Sequence, residues 1–192
     1  MTISGIVGNG TLGITIMAGS AYDNAGNAFP ASGPSATFTV DNAAPTMGIG
    51  PPSASLTKSG PVTYAVTYTG ADTVTLANSN VTLNRTGTAD GTTAVTGSGT
   101  GTRTVTVSGI TGNGSLGISI ASGTAGDTAG NLAPAAGPSA TFTVDNTAPN
   151  APAVQGPLST SNRKPTWIWT TGGGNGTYRC KLDSSDLTTG FT

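Results

Sequence analysis

Half of the acidic residues of this chain recur at matching positions, beside asparagines that recur with them. All eight carboxylates among the 192 residues are aspartates, and the chain contains no glutamate and no histidine. Two motifs, Asp-x-Ala-Gly-Asn and Asp-Asn-x-Ala-Pro, each occur twice and hold four of the aspartates. The recurring acid and amide residues are Asp23, Asn27, Asp41, Asn42, Asp127, Asn131, Asp145 and Asn146.

Carboxylate and amide oxygens in such a pattern suit a hard cation, and calcium is the natural candidate. None of the seven Lys and Arg residues lies in either motif. A calcium shell needs about 6 to 8 oxygen ligands, so backbone carbonyls and water would have to supplement the two carboxylates of each junction. The sequence therefore predicts calcium at these eight positions as one of two hypotheses.

The second hypothesis is that both motifs form turns and linkers. In Asp-x-Ala-Gly-Asn the Asp side chain can accept backbone N–H groups, while Gly26 or Gly130 takes a positive φ. In Asp-Asn-x-Ala-Pro, Pro45 or Pro149 ends the strand ladder and extends the linker. This interpretation is favoured, because it does not need oxygen ligands that the sequence fails to identify.

The motifs belong to a long internal repeat. The block Ser-Ala-Thr-Phe-Thr-Val-Asp-Asn-x-Ala-Pro stands at Ser35 to Pro45 and again at Ser139 to Pro149. Aligned at an offset of about 104 residues, about 30 of roughly 43 positions are identical. That period is too long for a solenoid repeat and has the size of one whole domain.

The composition predicts strands rather than helices. Only 8% of the residues are charged, and Glu, which helix surfaces favour, is absent. Val62, Tyr64, Val66 and Tyr68 alternate with smaller residues, so their side chains are expected on one buried face of a strand. Further strands are expected near residues 47–49, 74–76, 81–83, 102–107, 116–120 and 140–144.

About seven strands in about 100 residues match an immunoglobulin-like sandwich of two antiparallel sheets. The fold class expected is all-β, with tandem immunoglobulin-like β-sandwiches of which one is complete and two are truncated. Residues 1–46 correspond to the C-terminal half of a repeat, 47–149 to a complete repeat, and 150–192 to the N-terminal part of a divergent one. Since Met1 aligns with Val105 inside a strand, we expect an excerpt of a longer array whose truncated ends self-associate through open strand edges.

The last segment carries residues that invite a functional interpretation. Trp167 and Trp169 alternate along one predicted strand, which indicates core filling, although an exposed pair would favour a glycan-binding platform. Cys180, the only cysteine, alternates with Tyr178 and Leu182 and is expected to be buried. Without His or Glu, a Ser or Cys nucleophile lacks its usual base, so we expect no enzyme activity.

Charge and hydropathy exclude two classes of partner. A net charge of −1 lacks the basic footprint of a nucleic-acid-binding protein or of a protein held on an acidic membrane. No apolar run approaches the roughly 20 residues of a membrane-spanning helix. Neither nucleic-acid binding nor membrane insertion is expected.

The run Ala-Thr-Phe-Thr-Val-Asp-Asn-Thr-Ala-Pro, preceded by Asp-Thr-Ala-Gly-Asn, resembles the bacterial immunoglobulin-like repeats of very large secreted and surface-attached proteins, many of them adhesins. Residues 150–192, with Pro-Thr-Trp-Ile-Trp, resemble the start of a second subtype of such repeats. The resemblance implies a non-catalytic spacer or adhesion module, located outside the cell or on its surface. Its partners would be neighbouring repeats of the same chain and a host or surface glycan or protein.

Two further implications follow from this resemblance. Some arrays of this general kind are stiffened by calcium at their linkers, which agrees with the cation hypothesis for the repeated aspartates. The alternative function is that of an accessory spacer or glycan-binding segment in a secreted polysaccharide-active enzyme.

Overall fold

Short strands joined by turns and irregular loops make up residues 2–175, the part of the chain that the computed structural model describes. Within that part the only helical element is a 3-10 turn at Asn78–Asn80. The chain forms two compact units, the first ending at Asn146 and the second beginning at Thr147. The strands are β1 Gly10–Leu12, β2 Phe38–Val40, β3 Thr46–Pro52, β4 Leu56–Thr57, β5 Val62–Thr69, β6 Thr73–Val74, β7 Val81–Arg85, β8 Asp90–Thr96, β9 Thr102–Thr111, β10 Gly114–Ile120, β11 Ala125–Gly126, β12 Phe142–Val144, β13 Val154–Gln155 and β14 Ile168–Trp169.

Two four-stranded sheets form a sandwich in the middle of the chain. One sheet has the order β3-β5-β9-β8 and is antiparallel throughout. The other has the order β4-β12-β10-β7, in which only the short β4 runs parallel to its neighbour. A separate pair, β6 and β11, is also antiparallel. The prediction of an all-β sandwich is confirmed.

The core lies between these two sheets and follows the period-2 pattern of the sequence. In β5, the alternating residues Val62, Tyr64, Val66 and Tyr68 are all buried, as expected. They pack in one cluster with apolar side chains of β9, β10 and β12. Burial of this face removes most large apolar side chains of the middle segment from water, which is the main stabilising contribution to the sandwich.

Tyr64 joins the two sheets by both ends of its side chain. Its ring centroid lies 6.4 Å from that of Phe142, in a tilted arrangement. Its hydroxyl donates to the carbonyl oxygen of Ala140 at 2.9 Å and, more weakly, to that of Leu116 at 3.4 Å. Burial raises the pKa of this hydroxyl above its ordinary value, so it remains protonated and available as a donor.

Two strand predictions need correction. The strand β8 was not predicted, because its inward positions carry the small residues Gly91, Thr93 and Val95 and give little apolar alternation. The strand expected at residues 74–76 is reduced to the two residues of β6. The structure also contains the short β4, whose only large apolar residue, Leu56, is exposed.

The first segment of the chain reproduces part of the sandwich at the repeat offset. Strands β1 and β2 pair antiparallel with Gly10 opposite Val40 and Leu12 opposite Phe38. The pair β10 and β12 has the corresponding register, with Gly114 opposite Val144. Isolated bridges and a cis Gly-Pro bond also recur at the same offset. The internal repeat is therefore a repeat of structure as well as of sequence.

The second unit contains one small sheet among its described residues. Strands β13 and β14 pair antiparallel, with Val154 opposite Trp169. Trp167 and Trp169 are 45% and 46% exposed, so the expectation that both fill a core is wrong for the structure described. The ring of Trp167 lies against the backbone of Gly156, where no side chain intervenes. The predictions for Tyr178, Cys180 and Leu182 lie outside the described residues.

Candidate functional site: the junction between repeats

The turn at residues 127–131 is held by hydrogen bonds between its first residue, Asp127, and its last, Asn131. Oδ1 of Asp127 accepts the backbone N–H of Asn131 at 2.8 Å, and Oδ2 accepts the side-chain amide of the same residue at 2.8 Å. Gly130 has φ +93°, in the region that favours glycine, so the sharp reversal costs little there. The turn predicted from Asp-x-Ala-Gly-Asn is confirmed.

The first copy of the motif has the same geometry. Oδ1 of Asp23 accepts the backbone N–H groups of Ala25 and Asn27, both at 2.9 Å. Its Oδ2 accepts the side-chain amide of Asn27 at 2.9 Å, and Gly26 has φ +89°. Two independent copies of the sequence thus give one local structure, which shows that the turn is encoded by its own five residues.

The hydrogen bonds of these turns favour the charged form of their aspartates. The side-chain amide of Asn27 is the largest influence that lowers the pKa of Asp23 below its ordinary value. The amide of Asn131 lowers the pKa of Asp127 in the same way, with further help from backbone N–H groups. Asp23 is exposed and Asp127 is partly buried, and desolvation acts in the opposite direction by raising the pKa of each. The lowered pKa values are therefore caused by hydrogen bonding to the charged form.

The asparagines of the second motif form hydrogen bonds at one end of each antiparallel strand pair, β1 with β2 and β10 with β12. Asn42 donates its backbone N–H to the side-chain oxygen of Asn9 and its side-chain amide to the carbonyl oxygen of Gly8, each at 2.6 Å. Asn146 makes the same pair of bonds to Asn113 and Gly112, at 2.6 and 2.7 Å. These bonds connect the chain that follows β2 to the turn before β1, and the chain that follows β12 to the turn before β10.

One hydrogen bond joins the two copies of the repeat to each other. The side-chain amide of Asn131, in the second copy, donates to the backbone oxygen of Asp41, in the first, at 3.0 Å. The same turn is held from its own repeat, since the backbone N–H of Thr128 donates to Oδ2 of Asp72 at 2.8 Å. The Asp-x-Ala-Gly-Asn turn of one repeat therefore contacts the Asp-Asn-x-Ala-Pro linker of the repeat before it. We call this contact, between Asp41 and the Asp127–Asn131 turn, the junction.

The eight residues predicted to bind calcium are spread over several places. Asp127, Asn131 and the backbone of Asp41 meet at the junction, whereas Asp23 and Asn27 form their own turn. In residues 2–175 no three Asp, Glu, His or Cys side chains stand close enough together to hold a metal ion.

The groups that face the carboxylates of Asp23, Asp41 and Asp127 are N–H donors rather than oxygen ligands. Oδ1 of Asp41 also accepts an N–H, from Ala43 at 2.9 Å. Asp145 and Asn146 occupy the corresponding position at the end of the second copy. The observed contacts thus agree with the turn hypothesis, and calcium binding stays a prediction that a titration must decide.

Sequence reasoning did not identify three residues that hold these motifs in place. Asn9 and Asn113 accept the backbone N–H of the linker asparagines, and their recurrence in the aligned Gly-Asn-Gly segments was the available signal. Asp72 has no counterpart in the first segment, so the repeat could not reveal it. Its role at the turn depends on the sandwich bringing two distant loops together.

Within the described part of the chain, no helix is long and apolar enough to cross a membrane. The chain matches no family model, no curated protein and no solved structure.

Proposed function

We propose that this chain is a non-catalytic structural segment of a large bacterial extracellular or cell-surface protein, in which successive repeats act as spacers or adhesion modules. The observation that carries the proposal is the hydrogen bond from Asn131 to Asp41, which links two copies of one repeat through motifs that both copies possess. A contact made by repeated motifs can recur wherever one repeat follows another. Neighbouring repeats of the same chain are its first partners.

The strand order supports an immunoglobulin-like assignment of the repeat. One sheet has the spatial order β3, β5, β9, β8, which are the first, third, sixth and fifth of the eight sandwich strands along the chain. This corresponds to the A-B-E-D sheet of an immunoglobulin domain, and β7, β10 and β12 correspond to its C-F-G sheet. The short β4 joins the second sheet beside its last strand.

The chemistry that the chain offers supports a non-catalytic role. The repeated aspartates bind donors of their own turns, and the pKa values of Asp23 and Asp127 are lowered, which is unsuitable for a general acid. The sequence has no His and no Glu to serve as the base of a nucleophile.

Surface labelling of intact cells tests the proposal. Antibodies raised against the repeat of residues 47–149 should label intact cells of the organism that encodes the chain, or should detect the protein in the medium. A cytoplasmic protein of the same cells, which must be labelled only after permeabilisation, is the control. Labelling of the repeat only after permeabilisation would overturn the proposed location and, with it, the spacer or adhesion role.

The exposed tryptophans favour a second candidate, an accessory glycan-binding or spacer segment of a secreted polysaccharide-active enzyme. Trp167 and Trp169 alternate on one face of the last described segment and are each nearly half exposed. Aromatic faces with a polar edge are suited to stacking on sugar rings. Loss of glycan-array binding in the Trp167→Ala, Trp169→Ala chain, but not in the Ile168→Ala control, would support this candidate. An array that binds nothing, or binding retained in the double variant, would exclude glycan binding by this pair.

A further inference from the structure

The first segment of the chain exposes a face that its second copy buries. Phe38 is 49% exposed, whereas its counterpart Phe142, at the same place in the repeat, is 1% exposed. Ile14 and Ile16 are likewise exposed, and their counterparts Ile118 and Ile120 are buried. We call this surface of β1, β2 and the residues around them, defined by Ile3, Ile6, Ile14, Ile16 and Phe38, the open face.

The complete repeat shows what covers the equivalent surface there. Phe142 faces the ring of Tyr64 from β5, in the opposite sheet. Strand β7 pairs with the outer edge of β10, with Leu83 opposite Ile118, and β4 pairs with the outer edge of β12. Gly60, just before β5, lies against Ile110, the counterpart of Ile6. All of these covering residues precede position 105 in the sequence.

The open face already has the shape of the covered one. The register of β1 and β2 is that of β10 and β12, and Ser35 accepts the backbone N–H of Ile14 as Ser139 accepts that of Ile118, at 2.9 Å in both copies. A cleft of about 110 Å³ is lined by Ile6, Leu12 and Val40, among other residues. The counterparts of these three residues, Ile110, Leu116 and Val144, are all buried in the complete repeat. A partner therefore meets a surface that needs little rearrangement.

We propose that the open face binds a polypeptide segment with the pattern of residues 47–105, which completes a second sandwich on residues 2–46. Such a segment carries a Tyr hydroxyl for the carbonyl oxygens at Leu12 and Ala36, the counterparts of Leu116 and Ala140. It also provides a strand for each outer edge and apolar side chains for the face. A large apolar area with two strand edges is the combination that strand addition uses.

A second copy of this chain is a poorer occupant. To donate its residues 47–105, that copy would have to remove them from its own residues 106–149, which would then expose the same surface. The exchange leaves the number of open faces unchanged, so burial gives it no net driving force. The donor must therefore be a segment that is not already engaged. The inference stands on this face alone and does not depend on the proposed spacer role.

Co-expression of the full chain with a tagged polypeptide of residues 47–105 tests the proposal. We expect a 1:1 complex on affinity purification, and at least tenfold slower amide exchange in residues 10–16 and 38–40. The Phe38→Ser, Ile14→Ser chain should lose the complex. A Met17→Ser chain should keep it, because Met17 is exposed and its counterpart Ala121 is exposed in the complete repeat as well.

Three results would overturn the proposal. Failure of the donor to bind the unmodified chain would remove its basis. Equal binding to the Phe38→Ser, Ile14→Ser chain would show that the donor exchanges into the complete repeat instead. A dimer in sedimentation experiments that the donor does not compete with, and that Phe38→Ser abolishes, would assign the open face to a second copy.

Discussion

The carboxylate of Asp127 organises a whole turn, because the residues that follow it supply N–H groups to both of its oxygens. Its two oxygens receive the backbone and side-chain N–H groups of Asn131, and the turn they close places the same Asn131 against the preceding repeat. The charged form of the carboxylate is therefore the form that the turn stabilises. Recurrence of the arrangement at Asp23 shows that it does not depend on the surrounding sandwich.

This arrangement predicts an acid-sensitive stability. Since the pKa of Asp127 is lower in the folded chain than its ordinary value of 3.8, the deprotonated carboxylate favours folding. Its contribution is complete above the ordinary value and is lost as the pH falls through the lowered one. We expect the unfolding midpoint, measured by circular dichroism, to fall between pH 5 and about pH 2, and to fall less in an Asp127→Asn chain.

The same substitution at Asp90 provides the control for this pH dependence. Asp90 forms an exposed ion pair with Arg85, of a kind that contributes little to stability. The Asp90→Asn chain should therefore keep the acid sensitivity of the unmodified protein. Equal flattening of the pH profile in both variants would show that the turn has no special part in it.

Among the strands, β5 links the two sheets most directly, through the hydroxyl of Tyr64. Removal of that hydroxyl tests the contact. Tyr64→Phe deletes the hydroxyl that donates to the carbonyl oxygen of Ala140 across the core. The Ala140 oxygen also accepts the Ser139 hydroxyl at 2.9 Å, so it keeps one donor in the variant. The loss of one hydrogen bond costs about 0.5 to 1.5 kcal/mol, and we expect a decrease of that size in the free energy of unfolding from urea titration.

Tyr22→Phe is the matched control for the Tyr64 variant. Tyr22 lies in the first segment and is 66% exposed, so its hydroxyl can exchange its partners for water. We expect a change within about 0.5 kcal/mol for this surface substitution. Equal effects of the two variants would show that the buried hydroxyl does not join the sheets as described.

The strands differ in how visible they are in the sequence, and the reason is physical. Strand β5 alternates large apolar side chains with Thr and Ala, so its period-2 pattern predicted both the strand and its buried face. Strand β8 lies at the edge of its sheet and contributes Gly91, Thr93 and Val95, which bury little area and leave no such pattern. Edge strands are positioned by pairing with a neighbour, which composition alone does not reveal.

The candidate site also has a part that the sequence predicts and a part that it does not. The closed turns could be predicted, because Asp, Gly and Asn at fixed spacing satisfy one another locally. The contact of Asn131 with Asp41 could not, since 90 residues separate the two positions and only the packed repeats bring them together. The exposure of Trp167 and Trp169 was also missed, because alternation identifies a face of a strand without identifying what covers it.

At the scale of the whole molecule, the junction predicts that one asparagine couples two repeats while its counterpart does not. Asn131→Ala removes the bond to Asp41, worth about 0.5 to 1.5 kcal/mol, whereas Asn27→Ala removes only a bond inside its own turn. We expect amide exchange in residues 41–46 to accelerate roughly two- to tenfold in Asn131→Ala, and to remain unchanged in Asn27→Ala. Unchanged exchange in both variants would mean that the contact does not hold the linker.

Calcium would act on the same junction, and the observed hydrogen bonds set the expected outcome. For Asn131 to join Asp127 as a ligand, its side chain must turn its oxygen rather than its N–H groups toward the ion, which breaks its bonds to Asp127 and to Asp41. A ligand raises the unfolding midpoint only when its concentration approaches or exceeds its dissociation constant. Because these hydrogen bonds oppose calcium binding, we expect 1 mM calcium and a chelator to give the same unfolding midpoint in calorimetry. A calcium-dependent rise that the chelator reverses, and that Asp127→Asn abolishes, would instead establish a cation site between repeats.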